Sequence, residues 1–508
     1  MSRAARAQAA LGGALFAVLA LACTRAVAVP GLAWNDELVY AAAGRHVADG
    51  HGPVSSFYHP DAIVERGLPQ PDVHMPGQAL LLGAAFRLFG PREDVAVATS
   101  ALAFVLASAL AGWTCARLGT AAGLAAAALF ALFPPQAAFA HSAMAEPALC
   151  LATVAFAALW LGALRDPRPA RAVALAVVLA VGATARETFL VYAAPAAWAI
   201  ARWPARERWR GAVLGGGVLA AYLAGVFVPF YRARASHPHV LTDALQAEGA
   251  RIAAVIAGNV RDNLAALPFF PREAWQWVYL LQLLAFVLAL GIARRATDER
   301  RPLAALAAWG LASTWVGVAL FYPLADWRVV RVLMPVAVPA ILVVGASLVP
   351  KTRTARDLWR PLVAAAVLAV SVAATVSLGR DRRFNLDFGR DYASYLLRTL
   401  PARPAVVVAT KAYRYGWEAY PVAVVVWEAT DLKRVRAVAE RVPVDAIVVR
   451  EEERRRFLRG MEDGAYARGY ALASGAPFHG RYHAYVACPT GDSGAGRPSC
   501  AEPDERLR

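Results

Sequence analysis

The sequence has few charged residues for its length. Only 18% of its 508 residues are charged, whereas 58% are hydrophobic. Soluble domains contain about 25% charged residues, so an ordinary soluble protein is excluded for most of the chain. Repeated apolar stretches of about 20 residues indicate instead helices that span a lipid bilayer.

Cysteine is also scarce, and its positions exclude two kinds of site. The five cysteines show neither metal-ligand spacing nor a disulfide framework; they are Cys23, Cys115, Cys150, Cys488 and Cys500. Only the last two lie outside the apolar part of the chain, and their pairing is left open. The sequence also lacks a convincing internal repeat, which counts against a transporter built from inverted repeats.

Acidic residues are fewer than basic ones, 37 against 53, which leaves a net charge of +16. Such an excess could indicate nucleic-acid binding. The arginines, however, cluster between apolar segments, so the orientation of a membrane protein explains them better. We therefore predict no nucleic-acid partner and contacts with membrane lipids.

The apolar segments predict about eleven spans. The first, 7–29, could be a signal peptide, but its apolar run is long and we favour a retained helix. Segment 76–90 is too short to span, and a span there would place the arginine-rich loops on the wrong side. It is therefore predicted as an interfacial helix. The other predicted spans are 94–116, 119–140, 145–164, 170–186, 188–203, 211–231, 275–293, 302–321, 330–349 and 361–379.

This predicted membrane topology divides the chain into a membrane domain, 1–380, and a small outer domain, 381–488. Two further segments of the membrane domain, 30–93 and 232–274, form outer loops. In the outer domain, "PAVVVAT" and "VDAIVV" predict buried parallel strands, and "DLKRVRAVAERV" predicts a helix. The tail, 489–508, is predicted to be disordered.

Acidic residues stand at the membrane edge of two outer loops. Asp36 and Glu37 follow Asn35, which can cap a helix, and Glu146 precedes another apolar run. These acids could simply favour the helix dipoles. Two such placements on the same face are less expected by chance than one, so they also indicate a site.

Arginines occur at two further outer turns. Arg186 and Glu187 interrupt an almost continuous apolar stretch, where ionisable groups usually pair or serve a site. Asp326, Arg328 and Arg331 lie around the start of a later span. Arginine binds two phosphate oxygens at once, although each of these arginines could instead reach from a helix end to the interface.

The order of these pieces resembles the polytopic glycosyltransferases with the GT-C fold, of the protein O-mannosyltransferase and lipid A aminoarabinose transferase type. The match covers about residues 30–205 and 322–349. Each motif alone is weak, and the ordered set carries the resemblance. The similar segments are "WNDELVYAAAGRHVADG", "HMPGQALLLGAAFRLFG", "HSAMAEPALCLATVAFAALWL", "RETFLVYAAP" and "RVLMPVAVPAILVVGASL".

The resemblance implies a fold and an activity. The fold is an α-helical polytopic membrane protein with outer juxtamembrane helices and a small C-terminal α/β domain. The activity is inverting transfer of a sugar from a polyprenyl-phosphate donor to a lipid, glycan or protein acceptor. The enzyme would lie in a bacterial inner membrane with its site facing the periplasm.

The resemblance also implies roles for particular residues. Asp36 corresponds to the catalytic base with Glu37 in support, and Glu146 corresponds to the second acid. The residues expected at the substrate are Arg186, Glu187, Arg328, Arg331 and His74. The segment His74-Met75-Pro76 departs from the double proline or lysine of many members.

No cofactor is predicted. His74, His237 and His239 are of a residue type that binds metals, but surface histidines are the simpler interpretation. Two rival functions stay open: a transporter or flippase for a lipid-linked anion, and a structural subunit of an envelope complex. A transporter would place its ionisable residues at the bilayer midplane, whereas these gather at one edge.

Overall fold

A computed structural model describes most of the chain. The described residues are 2–58, 60–69, 74–234, parts of 253–261, 274–321, 328–349, 359–400, 404–409, 411–426, 432–462, 470–473 and 477–487. Most of the loop predicted at 232–274 and the whole tail 489–508 therefore lie outside the described residues, as do Asp326, His237, His239, Cys488 and Cys500.

Helices form the first four-fifths of the described chain, and most coincide with predicted spans. Their bounds are α1 Arg3–Ala28, α2 Asn35–Ala48, α3 Pro60–Arg66, α4 Gly77–Phe89, α5 Glu93–Cys115, α6 Thr120–Leu132, α7 Pro134–Ala140, α8 Glu146–Arg165, α9 Pro169–Ala185, α10 Ala193–Ala201, α11 Ala205–Tyr222, α12 Val228–Arg234, α13 Ala274–Arg295, α14 Arg300–Phe321, α15 Arg328–Ser347 and α16 Trp359–Thr399. There are also two 3-10 helices in the described residues: Ala116–Leu118 follows α5, and Glu187–Tyr192 precedes α10.

Five helical segments among the described residues are long and apolar enough to cross a membrane. They are Arg3–Ala26, Glu93–Leu118, Glu146–Arg165, Ala205–Ala233 and Gln276–Arg295. Other apolar helices, such as Pro169–Ala185, are shorter. The architecture is that of an α-helical membrane-embedded protein, and the number of about eleven spans stays a prediction.

Two predicted spans are less regular than expected. Segment 119–140 is divided into α6 and α7, which meet at Phe133, because Pro134 and Pro135 cannot donate backbone hydrogen bonds to the preceding turn. Segment 188–203 begins as the 3-10 helix Glu187–Tyr192 and becomes α-helical only at Ala193. The polar Arg186 and Glu187 thus stand at an irregular junction.

Helices α2 and α4, in the predicted first outer loop, pack closely against each other. A Cβ atom at Gly83 would lie 2.4 Å from the Val47 side chain and 3.0 Å from the Gly44 carbonyl. Only glycine permits this approach. With 13 residues, α4 is about 20 Å long, which is shorter than the roughly 30 Å hydrocarbon core.

The C-terminal part is an α/β domain around a six-stranded sheet. The strands are β1 Phe57–Tyr58, β2 Val406–Ala409, β3 Ala423–Val426, β4 Ala446–Arg450, β5 Tyr470–Leu472 and β6 Tyr482–Ala487, in the order β1-β3-β2-β4-β6-β5. The helices are α17 Tyr413–Glu418, α18 Leu432–Arg441 and α19 Glu451–Glu462. Strands β2 and β4 pair in parallel, so the two predicted parallel strands and the helix at 432–441 are confirmed.

The two parts of the chain are joined more tightly than the sequence indicates. Helix α16 continues unbroken from Trp359 to Thr399, so the predicted boundary at 380/381 falls inside a helix. Strand β1 comes from segment 30–93, the predicted first outer loop, yet it pairs in parallel with β3 of the C-terminal sheet. This segment therefore completes the C-terminal domain.

Candidate functional site

Four charged side chains meet where α2, α8 and α15 begin and α9 ends. Asp36 is the second residue of α2, Glu146 opens α8, and Arg186 directly follows α9. Arg331 is in the first turn of α15. We call these four residues the charge cluster. Asp36 and Arg331 are 295 residues apart in the sequence, so only the tertiary fold brings the four residues together.

Arg331 is the centre of the charge cluster. Its Nη1 donates to Asp36 Oδ2 at 2.5 Å, and its Nε donates to Glu146 Oε1 at 2.6 Å. One guanidinium thus bridges two carboxylates from different helices. Such charge-assisted hydrogen bonds are the strong ones in proteins, so this bridge fixes the two acids relative to each other.

Arg186 extends the cluster on the far side of Glu146. Its Nη2 donates to Glu146 Oε1 at 2.8 Å, and its Nη1 donates to the backbone carbonyl of Arg331 at 3.3 Å. Both arginines therefore use the same oxygen of Glu146. The other oxygen, Oε2, is buried and has no hydrogen-bond partner among the described residues.

The cluster alternates in charge and is open only at one end. Glu146 is fully buried and Arg331 is 8% exposed, whereas the Asp36 side chain is 33% exposed. Two carboxylates balance two guanidiniums, so the four side chains together are neutral. An incoming anion must therefore displace or neutralise a carboxylate, and Asp36 is the accessible one.

The environment of Asp36 keeps its carboxyl ionised. Burial by itself raises the pKa of Asp36, but the Arg331 charge, with smaller contributions from His74 and Arg186, outweighs burial and lowers the pKa to about 2. A carboxylate with so low a pKa is a weak general base. While it is paired with Arg331, Asp36 is thus poorly suited to accept a proton.

Two aromatic side chains line the accessible side of the cluster. His74 Nε2 lies 4.0 Å from Asp36 Oδ1, and its ring centroid is 4.6 Å from that of Tyr40. Tyr40 is buried, and burial raises the pKa of its hydroxyl. Tyr40 was not predicted as a site residue, although its position four residues after Asp36 places both on one face of α2.

Glu37 does not join the charge cluster. Its carboxylate is fully buried and pairs with Nη1 of Arg382 on α16, and it also accepts the Ala33 backbone amide at 3.1 Å. Arg382 in turn donates to the carbonyls of Ala28 and Gly31 at 3.0 and 2.8 Å. Glu37 thus anchors the segment that leads into α2, and the sequence carries no signal for Arg382.

The remaining predicted residues lie nearby or outside the described part. Arg328 opens α15, but its side chain is outside the described residues. Glu187 begins the 3-10 helix after Arg186 and is half-buried. Among the described residues there is no group of three or more His, Cys, Asp or Glu arranged to hold a metal ion.

Solved structures share this architecture. ArnT from Cupriavidus metallidurans bound to undecaprenyl phosphate superposes with a TM-score of 0.59 over 96% of this chain and 98% of ArnT, at 15% identity. The apo state of the same enzyme gives a TM-score of 0.58 over 93% of this chain and 97% of ArnT, also at 15% identity. The protein has the GT-C fold. The GT-C resemblance and the predicted fold class are thereby confirmed, and at this identity the likeness establishes the fold alone.

A more distant GT-C structure is the archaeal oligosaccharyltransferase AglB from Archaeoglobus fulgidus. It matches with a TM-score of 0.47 over 93% of this chain and 74% of AglB, at 12% identity. No protein family and no curated protein matches the sequence. The roles of the charge cluster on this GT-C fold must therefore be argued from its own geometry.

Proposed function

We propose that this protein is a glycosyltransferase that moves a sugar from a polyprenyl-phosphate donor to an envelope lipid, glycan or protein, with inversion at the anomeric carbon. The single observation that carries the proposal is the bridge of Arg331 between Asp36 and Glu146 at the end of a membrane-embedded bundle. This bridge places a carboxylate and a cation that can bind phosphate in direct contact with each other. The ArnT structure with the same fold contains undecaprenyl phosphate, which supports a donor of this class.

The reaction needs a base for the acceptor and a cation for the leaving group. The acceptor oxygen attacks the anomeric carbon while the bond from that carbon to the phosphate oxygen breaks. The acceptor proton goes to Asp36, and the electron pair of the broken bond stays on the phosphate. A guanidinium held in place stabilises that developing charge without reorganisation.

The neutral cluster links these two needs through an exchange of ion pairs. The donor phosphate competes with Asp36 for Arg331, which frees the Asp36 carboxylate and raises its pKa from the paired value of about 2. Proton transfer then neutralises Asp36. As Asp36 loses its negative charge the phosphate gains a second one, while Glu146 stays paired with Arg331, so the total charge of the site does not change.

Glu146 and Arg186 have supporting roles in this scheme. Glu146 holds both guanidiniums through one oxygen and so orients them toward the donor phosphate. Arg186 is 14% exposed and is placed to contact a second phosphate oxygen. We retain Arg328, Glu187 and His74 as substrate-contact candidates, with His74 nearest to Asp36.

Position argues for transfer over transport. Asp36, Glu146 and Arg331 all lie within the first turn of their helices, at one end of the bundle. A transporter places its ionisable residues near the midplane. Arginines such as Arg117 and Arg165 lie at the other end of α5 and α8, which favours a cytoplasmic side there and a periplasmic site in an inner membrane.

Binding of the product lipid tests the phosphate contact. Purified protein in nanodiscs is titrated with undecaprenyl phosphate and with undecaprenol, which lacks the phosphate. Wild type should prefer the phosphate form, and Arg331→Lys should weaken that preference roughly 10-fold or more, because lysine loses one of two charge-assisted contacts. Arg436→Lys, at an exposed ion pair with Glu440, should bind like wild type.

Transfer itself requires a second measurement. Mass spectrometry of envelope lipids and glycans, from cells with the wild type and with Asp36→Asn, should show a sugar-bearing species that only the wild type makes. A species that accumulates on the other side of the membrane without any new glycosidic linkage would instead establish a flippase.

A further inference from the structure

A second group of arginines lies at the opposite end of the bundle from the charge cluster. Arg6 is near the start of α1, Arg117 follows α5, Arg165 ends α8, and Arg171 is in the first turn of α9. We call these residues the arginine cluster. Helix α8 runs from Glu146 in the site to Arg165, and its 20 residues separate the two groups by about 30 Å.

Two of these arginines have anionic partners. Arg165 pairs with Glu299, and Arg171 pairs with Asp166 at 2.9 Å. Asp166 also binds the exposed Arg168 at 3.0 Å, so its charge is already shared. These contacts compensate the charges of Arg165 and Arg171.

Arg6 and Arg117 have no anionic partner among the described residues. Their Nε atoms are buried there without a hydrogen-bond partner, and Arg6 lies over the Trp113 ring with its guanidinium carbon 5.9 Å from the centroid. The charges of Arg6 and Arg171 also act unfavourably on Arg117. Both side chains are half-buried, and like charges without a counter-ion are unfavourable where water is partly excluded, so the geometry favours a bound anion.

We propose that the arginine cluster binds phosphate groups of an anionic phospholipid in the leaflet opposite the charge cluster. Lipid headgroups lie at the depth of helix ends, and arginine binds phosphate oxygens with two nitrogens at once. Two uncompensated guanidiniums match the two phosphates of diphosphatidylglycerol. Basic pockets between spanning helices are suited to such headgroups.

The lipid would tie together two elements that converge at this end. Arg6 belongs to α1, and Arg117 belongs to the 3-10 helix Ala116–Leu118 that follows α5. A headgroup bound by both neutralises their mutual repulsion and so stabilises the folded bundle by mass action. This role is independent of the proposed sugar transfer and of its residues.

The experiment compares nanodiscs of phosphatidylcholine alone with nanodiscs that also contain diphosphatidylglycerol. For the wild type we expect a melting temperature higher by about 2 °C or more in the second kind. Native mass spectrometry should find diphosphatidylglycerol retained on the released protein. A third arm adds inorganic phosphate to phosphatidylcholine nanodiscs, and equal stabilisation there would assign the site to soluble phosphate and overturn the lipid.

Two variants locate the site. Arg6→Gln with Arg117→Gln should lose both the retained lipid and the lipid-dependent rise in melting temperature. Arg208→Gln with Arg210→Gln removes two exposed arginines from the start of α11 and should behave like the wild type. If the variant with Arg6→Gln and Arg117→Gln does not fold, the comparison of the two kinds of nanodisc with wild-type protein still tests the proposal. A wild type with no lipid-dependent rise in melting temperature and no retained lipid would refute the site.

Discussion

Asp36→Asn separates two functions that the charge cluster combines. Asparagine has nearly the same size as aspartate, but it carries no charge and cannot accept the acceptor proton. Among the described residues the Asp36 carboxylate contacts Arg331 and His74 and accepts no backbone amide. The substitution should therefore leave α2 intact and change only the chemistry of the site.

The predicted effects on binding and on turnover have opposite signs. Removing a general base usually lowers the rate about 10²–10⁴-fold. The same change frees Arg331 from a competing charge-assisted hydrogen bond, worth about 1.5–3 kcal/mol. Because the Asp36 side chain is one-third exposed, we take the lower end, and 1.5 kcal/mol corresponds to roughly tenfold tighter binding of the lipid phosphate.

The assay measures both quantities on the same preparation. Undecaprenyl phosphate is titrated into wild-type and Asp36→Asn protein in nanodiscs, and transfer is followed in parallel by mass spectrometry of the acceptor fraction. Lower turnover with equal or weaker phosphate binding would refute the exchange of ion pairs, although Asp36 could still be the base. Unchanged turnover would remove Asp36 from the chemistry.

Three further predictions concern other parts of the molecule. Glu146→Gln should lower the affinity for undecaprenyl phosphate, measured in the same titration. The amide removes the buried negative charge that Arg186 and Arg331 share, so the two guanidiniums repel each other and lose their common orientation. An unchanged affinity would contradict this role. Glu37→Gln should lower the melting temperature in detergent, because it leaves Arg382 buried without its counter-ion. The expected loss in the free energy of unfolding is about 3–5 kcal/mol. Transfer per folded molecule should stay within a few-fold of wild type. Burial lowers the pKa of His141 to about 4, so the folded protein binds fewer protons than the unfolded chain between about pH 6.5 and 4. Stability should fall as pH drops through that window, by about 3 kcal/mol at most, and a His141→Gln variant that melts with the same pH dependence as wild type would refute this.

Composition and loop charge predicted the helical membrane fold because both depend on whether a segment lies in lipid or in water. Apolar runs reveal the bilayer, and loop arginines indicate its two sides. Local sequence could not show that α16 runs through residue 380 or that β1 joins the C-terminal sheet. Strand β1 has only two residues, and its partner β3 is more than 350 residues away, so its pairing depends entirely on the tertiary fold.

Most candidate site residues were predictable because charge is rare at membrane depth. Asp36, Glu146, Arg186 and Arg331 were each conspicuous against an apolar background, and the structure brings all four into contact. Their partners were not predictable. Asp36 and Glu37 look equivalent in sequence, but neighbouring helical side chains point about 100° apart, so one faces Arg331 and the other faces Arg382.

The position of Asp36 depends on the C-terminal half of the chain. The segment that leads into α2 is held by Arg382, which binds the Gly31 carbonyl, and by Arg414 of α17, which donates to the Leu32 carbonyl at 3.2 Å. Arg414 also pairs with Glu93 at the start of α5. In the proposed mechanism Asp36 alternates between Arg331 and a substrate proton, which requires a fixed backbone. The C-terminal α/β domain supplies that support: Arg382 lies on α16, which leads into the domain, and Arg414 lies on α17, which belongs to it.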